Sequence, residues 1–290
     1  IFHNGIPIKN INLKYVDHIF SAVPYLVNFY RQRGVNSSLV YHYFDTEIIK
    51  KLSKSKNYIN DLSFIGKTGD AFDKNHLSRF KILNKILKND NINFKCFSLE
   101  KQRQEIIENN FSQIKILRDK ILNTLKKINP IYLKYLKFKN LPLKLENLLN
   151  DAIKNEKKIR FLHQIHKNRI LPALYGIEMY EQLKSSRVVF NMHTDQANNE
   201  SGNIRMFEVT GVGSCLITND STNIRDLFIP DQEILTYKTY DEFLSKYKEI
   251  INNENLQKTF RTNGQNKTIK HHSTEKRVEE MNHLINQILN

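Results

Sequence analysis

Apolar positions along the chain fall into two rhythms: short continuous apolar runs, and longer stretches in which apolar residues recur at helical spacing. Residues 15–21 (YVDHIFS) predict a strand, 23–34 (VPYLVNFYRQRG) a helix that stops at Gly34, and 37–44 (SSLVYHYF) a second strand. Residues 45–60 are polar and Lys-rich, as a connection is. A new unit starts at Asp61. It opens with a strand (DLSFIG) and a glycine-containing loop (GKTGD). A helix over 76–89 follows, with Leu77, Phe80, Ile82, Leu83, Ile86 and Leu87 on its apolar side, and then a strand over 93–99. Strand, loop, helix, strand is the opening of a parallel α/β sheet. Between 101 and 167 the rhythm becomes helical throughout and densely charged, which predicts an all-helical insertion.

The α/β alternation resumes after residue 170. GIEMYEQLKSS predicts a helix and RVVFNMH a strand. GNIRMFEVTGVG predicts a loop entering a helix that ends in glycines. SCLITND is a strand, NIRDLFI a short helix and EILTYK a strand, with helices from there to the end. Ser273 or Thr274 can cap the last helix.

Composition narrows the class. The 290 residues are 40% hydrophobic and 26% charged, which suits a sizeable core. No run is long and apolar enough for a membrane-spanning helix. Cys96 and Cys215 alone cannot form a disulfide framework or a zinc cluster, and they sit in apolar strands as buried small hydrophobes. A net charge of +15 invites a nucleic-acid reading. However, the excess is mostly Lys, widely spread, and not interleaved with aromatic residues as a base-stacking groove requires. No nucleic-acid partner is expected; attraction to an anionic membrane surface fits the charge as well as nucleic acid does, and a solvated basic face with no partner is the commonest explanation of such a charge. The insertion is open to two readings: a solvated helical pair, or a face for a membrane surface or partner. The chain opens at Ile1, and IFHNGIPIKN lacks the organisation of a signal peptide, so the expectation is an incomplete chain lacking upstream sequence.

The most informative stretch is NNESGNIRMFEVTGVGSCLITND. A polar loop there precedes a helix N-terminus, whose free N–H groups form a ready anion site. Arg205, in the first turn, can pair with a phosphate, and Glu208 shares its face three residues on. Such a carboxylate can accept the two ribose hydroxyl protons as hydrogen bonds. An Arg–Glu surface pair is the plain alternative. Gly66–Gly69 (GKTG) is not a P-loop, because the required spacing is absent, so Gly66, Lys67 and Thr68 make either a turn or a phosphate contact. Asn191 and His193 lie at the carboxyl end of a strand, where α/β ligands gather, with side chains on one face. Tyr175, Gly176, Glu178 and Tyr180 read mainly as packing at a helix start, with a donor contact as the alternative for Glu178. His271 and His272 lack companion ligands and suit a solvated helix end; no metal site is expected.

This stretch resembles the donor-binding segment of GT-B glycosyltransferases, in their C-terminal group-1-type domain. It is most similar to the spore-maturation-type subgroup with its N-x-R-x-F-E-x-x-x-x-G pattern. The matching residues are Asn203, Arg205, Phe207 and Glu208, then Gly211 and Gly213, with Glu200 and Glu208 also in E-x7-E spacing. Gly264, His272 and Arg277 match the weaker tail of the pattern. The resemblance covers about residues 168–280, loosely 15–100, and not 101–167.

It implies an α/β fold of GT-B type: a Rossmann-type parallel sheet with a helical insertion, plus a partial N-terminal α/β domain. The implied division is 1–44 as the end of the N-terminal, acceptor-side domain, 45–60 as linker, and 61–290 as the donor-binding domain with its insertion at about 101–167. It further implies transfer of a sugar from a nucleotide-diphosphate donor to a hydroxyl on a glycan, lipid-linked or protein acceptor, in glycan or surface polysaccharide synthesis. The setting would be cytoplasmic or peripheral at the inner membrane face. No cofactor or metal is needed beyond the donor substrate. Glu208 would bind the ribose, Glu200 would lie near the donor sugar or phosphates, and Arg205 would stabilise the leaving group. Asn203, Gly66, Lys67, Thr68, Asn191 and His193 complete the expected donor-binding set. A general base would lie in the upstream sequence, so none is named. Two other functions stay open: a catalytically silent nucleotide-sugar-binding accessory protein, and a basic nucleic-acid-associated protein.

Overall fold

The computed structural model describes residues 1–4, 13–53, 58–69, 74–99, 109, 113, 116, 120, 162–166 and 169–289. The predicted helical insertion falls almost wholly outside the described residues. The four isolated positions between 109 and 120 are helical.

The chain begins with β1 (Ile19–Ser21), α1 (Pro24–Arg31) and β2 (Ser37–Leu39), with β1 and β2 parallel. Pro24 occupies the first helical turn, where its missing N–H costs nothing. The helix stops as predicted, with Gly34 at φ +75°. β2 is shorter than the apolar run 37–44 suggests, because the chain leaves the pair to reach a different partner. Phe44 bridges Ser273, and its N–H donates to the His272 carbonyl at 2.9 Å. The Lys-rich connection holds a short helix, α2 (Glu47–Lys51), with Glu47 at its start and Lys50 and Lys51 at its end, as the helix dipole favours.

The main sheet follows: β3 (Asn60–Ile65), α3 (Leu77–Lys88), β4 (Phe94–Phe97), α4 (Leu162–Ile165), β5 (Ile170–Leu171), α5 (Gly176–Lys184), β6 (Ser186–Asn191), α6 (Ile204–Gly211), β7 (Cys215–Asn219), α7 (Ile224–Leu227) and β8 (Leu235–Tyr237). The helices α8 (Tyr240–Ile251), α9 (Glu254–His271) and α10 (Thr274–Leu289) close the chain. The strand order is β5-β4-β3-β6-β7-β8 with every pair parallel, so the chain reverses direction across the sheet between β3 and β6. Ligands of doubly wound sheets bind at that reversal, beyond the carboxyl ends of the strands.

Both faces of the sheet are apolar, which explains the continuous hydrophobic runs. Alternate residues Leu62, Phe64, Val188, Phe190, Cys215 and Ile217 pack with α3 and α8, through Leu83, Ile86, Phe243 and Ile250. The intervening Ile65, Val189 and Leu216 pack with α5, α6 and α7, through Leu183, Met206, Phe207 and Leu227. The two-residue β5 was not foreseen; it is set by pairing with Cys96 and Phe97. Both cysteines are buried and free, and desolvation pushes the Cys215 thiol up to about 12.

His272 departs from the expected solvated helix end. His271 is exposed, but His272 is buried between Phe207 and Phe228, shares a hydrogen bond with the Leu227 carbonyl at 3.0 Å, and is depressed by desolvation to about 4. Arg277 is buried beside it, ion-paired to Glu280 and donating to the His42 carbonyl. These two residues therefore fasten α9 and α10 to the segment that leaves β2.

Candidate functional site

The site is built where β3 and β6 end. After β3 come Gly66, Lys67 and Thr68. Lys67 is exposed, whereas Thr68 is fully buried, with its hydroxyl 3.3 Å from the Gly69 carbonyl and 3.5 Å from Ser98 Oγ. After β6 come Met192 and His193. One side chain ties these two loops together. Arg79, buried in the first turn of α3, donates from Nη1 to the Lys67 carbonyl at 2.8 Å and from Nη2 to the Met192 carbonyl. Sequence reasoning placed only apolar residues on the inner face of this helix and missed Arg79. A basic residue within an apolar helical face was the available signal.

Asn191 and Asn203 are brought together. Thr218 on β7 accepts from Asn191 Nδ2 at 2.9 Å, and Asn191 Oδ1 accepts from Asn203 Nδ2 at 3.1 Å. Asn203 holds the N-cap position of α6 yet makes no capping bond, and its Oδ1 is buried without a partner. By contrast, Thr239 and Asn253 cap α8 and α9 with their side-chain oxygens. The tether to Asn191 thus leaves the first turn of α6 without a side-chain cap, at the positive end of its dipole; the Met206 N–H turns back to the Asn203 carbonyl at 3.3 Å, and those of Ile204 and Arg205 precede it.

His193 is buried beside this helix start. Its Nε2 lies 2.8 Å from Ser201 Oγ, which lies 2.5 Å from Ser221 Oγ, and its backbone N–H donates to Asn219 Oδ1 at 2.8 Å. Desolvation, aided by the Arg79 charge, depresses it to about 3, so it is a neutral hydrogen-bonding group and not a cation. Ser201 is further fixed by Asn223, which accepts from its N–H at 2.7 Å and donates to its carbonyl at 2.9 Å.

Arg205 and Glu208 share the face of α6 turned toward α5. They form an ion pair at 2.8 Å, both largely buried. Arg205 Nη1 also lies 2.9 Å from Met179 Sδ, and Tyr180 donates to Glu208 Oε1 at 3.1 Å. Tyr180 is therefore more than packing. Burial and the neighbouring carboxylate raise its phenol well above the ordinary range, so it remains a donor. Glu178 and Tyr175 are exposed at the same end of α5. No described residue joins Glu208 to the Asn191–His193 group.

Glu200 is drawn elsewhere. Its carboxylate accepts from the Tyr25 N–H in the first turn of α1, and desolvation raises its pKa. Around it the loop presses on the N-terminal unit. A Cβ on Gly202 would stand 2.1 Å from the Ala22 carbonyl oxygen. The loop reaches this position through Asn198 and Asn199, both left-handed at φ 50° and 61°. Gly211 plays a matching part on the other side of α6, where a Cβ would stand 2.3 Å from the Phe44 ring. The helix itself ends just beyond, with Gly213 at φ +78°. Among the described residues no cluster of three potential metal ligands exists.

Comparison with known proteins adds to this geometry. Residues 146–283 match the family of glycosyl transferase-like proteins. No curated protein matches the sequence. Among solved structures, a glycosyltransferase from Rickettsia africae ESF-5 is similar over 100% of this chain and 70% of its own, with a TM-score of 0.56 at 10% identity. Anabaena HepE, solved in complex with UDP, is similar over 94% of this chain and 65% of its own, with a TM-score of 0.54 at 8% identity. S. aureus TarM is similar over 95% of this chain and 44% of its own, with a TM-score of 0.55 at 11% identity. The chain thus spans about two thirds of HepE and less than half of TarM. The chain shares the parallel-sheet fold of these glycosyltransferases, and over residues 146–283 its sequence is similar to the glycosyl transferase-like family.

Proposed function

We propose that the chain binds a nucleotide-diphosphate sugar against the α6 N-terminus and transfers the sugar to a hydroxyl acceptor. The observation that supports this most directly is the uncapped first turn of α6, held open by the Asn203–Asn191 bond at the reversal point of the sheet. Two phosphates there would accept from the first-turn amides, in the positive field of the helix. Glu208 would take the ribose hydroxyls as hydrogen-bond donors, which frees Arg205 to turn toward the phosphates. In transfer, the acceptor oxygen bonds to the anomeric carbon and the bond from that carbon to the diphosphate breaks. Negative charge then grows on the leaving diphosphate, where the α6 dipole, Arg205 and the exposed Lys67 stabilise it. These cations and amides can perform that task without a bound metal. Glu200 then serves to hold the loop before α6 against α1, setting the distance between the two units. The basic surface and the absence, among the described residues, of a helix long and apolar enough to cross a membrane fit an enzyme working at or near a membrane face.

Calorimetric titration with UDP, GDP, dTDP and ADP, followed by their sugars, tests the reading. One nucleoside diphosphate is expected to bind in preference, with affinity lost in Glu208→Gln. No binding by any of the four would remove the proposal. Binding without donor hydrolysis or transfer would leave a silent nucleotide-sugar module instead.

A further inference from the structure

At the opposite end of the sheet lies a second concavity that the proposed reaction does not use. It encloses about 580 Å³ between α9, the end of α5, and Ile49, Leu52 and Tyr58. Its floor is apolar, with Leu52 and Val212, and its walls carry Lys184, Lys258, Arg261 and Tyr58.

Arg261 is the unusual member. Its guanidinium lies 4.1 Å from the centre of the Tyr58 ring, and its Nη2 donates to the Arg187 carbonyl at 3.1 Å. Its Nε is buried with no hydrogen-bond partner. Arg169, Arg187, Arg205 and Arg277 each meet a carboxylate. Arg261 meets none among the described residues, although Glu254 lines the same cavity. Desolvation of this half-buried guanidinium lowers its pKa to about 10. A half-buried charge is tolerated when a counter-ion completes it. Lys258 stands on the same face of α9, less than one turn away and exposed, and Lys184 reaches the cavity from α5 while donating to the Ser53 carbonyl at 2.7 Å. Three cations over an apolar floor fit a phosphate group carried on a small organic body, and the volume lies within the range of small-molecule sites.

We propose that this cavity is a phosphate-binding site, in which Arg261 and Lys258 grip the anion beside Lys184, distinct from the α6 donor site. The phosphate belongs either to a soluble phosphomonoester or to an anionic lipid headgroup. Titration of the whole chain with inorganic phosphate and with glycerol phosphate tests the first source. Co-sedimentation with phosphatidylcholine vesicles, with and without phosphatidic acid, tests the second. In either arm Lys258→Gln and Arg261→Gln are expected to weaken binding about tenfold or more, as loss of a charge-assisted hydrogen bond does. Glu254→Gln is expected to tighten it by relieving repulsion at the rim. Lys258 is exposed, so its replacement leaves folding intact, which an unchanged unfolding temperature confirms. Binding that survives both substitutions lies elsewhere and overturns the proposal, as does the absence of binding to phosphate, glycerol phosphate and acidic vesicles alike.

Discussion

Asn203 begins α6 without capping it, because its side-chain amide donates to Asn191 Oδ1 at 3.1 Å. A residue type whose side chain ordinarily caps the first turn is held in another bond, and only the Met206 N–H turns back to its carbonyl. Asn203→Asp separates fold from function here. A carboxylate at the N-cap favours the helix by about 0.5–1 kcal/mol. The same charge repels a diphosphate. Thermal unfolding is expected at or above the wild-type temperature, with nucleoside diphosphate affinity down at least tenfold by calorimetry. Unchanged affinity would move the phosphate seat away from α6.

Glu208 and Tyr180 give a second contrast. Glu208→Gln removes the ion pair to Arg205 and is expected to weaken donor binding by about 1–3 kcal/mol. Tyr180→Phe removes one donor to Glu208 Oε1 and leaves the carboxylate with a free lone pair. That change is expected to cost about 1 kcal/mol of stability while donor affinity holds or rises. Urea denaturation alongside donor titration reads both quantities. Equal loss of affinity in the two variants would make the pair a unit whose shape, not charge, matters.

Gly202 sits where backbone meets backbone. A Cβ there would meet the Ala22 carbonyl oxygen at 2.1 Å, and neither chain segment can yield without moving α1 against the loop. Gly202→Ala is expected to cost at least about 2 kcal/mol, the scale of a clash in a well-packed site, and to break the Glu200–Tyr25 hydrogen bond. Gly34→Ala is the control: nothing lies within 4 Å, and only the left-handed backbone opposes it, at about 1 kcal/mol. Equal unfolding free energies for the two variants would show that the contact between loop and α1 is not tight.

Acid sensitivity follows from two buried histidines. His193 and His272 have folded pKa values depressed to about 3 and about 4, against 6.5 for the free side chain. The unfolded chain therefore takes up protons below pH 6.5 that the native state refuses. Their contribution is constant above that pH and is lost as pH falls toward the folded values, by up to about 1.4 kcal/mol per pH unit for each histidine. Denaturation curves at pH 7 and pH 5 in wild type, His193→Asn and His272→Asn measure it. The substituted proteins are expected to show a shallower fall between the two pH values. A fall as steep as wild type in both would assign the acid sensitivity to carboxylates.

Sequence alone determined most elements of the main sheet and its helices, though not the two-residue β5 or the short α2. Runs such as those of β3, β6 and β7 alternate between two apolar faces, and that pattern can only be buried between helices. The start of α6 was legible too, because a polar loop followed by Arg205, Phe207 and Glu208 at helical spacing is a local signal. Burial in one element at a time is encoded locally, so periodicity captures it. The partnerships inside the site are not encoded in that way. Arg79 reaches a carbonyl 113 residues away, and Glu200 reaches an amide 175 residues away. Which side chains meet across such separations depends on strand order, and strand order is fixed only when all the helices have packed. The tertiary structure therefore decided that Asn203 leaves its helix uncapped, that Tyr180 serves Glu208, that Glu200 turns to α1, and that His272 is buried. In each case a polar group removed from water took the hydrogen-bond partner that packing placed beside it.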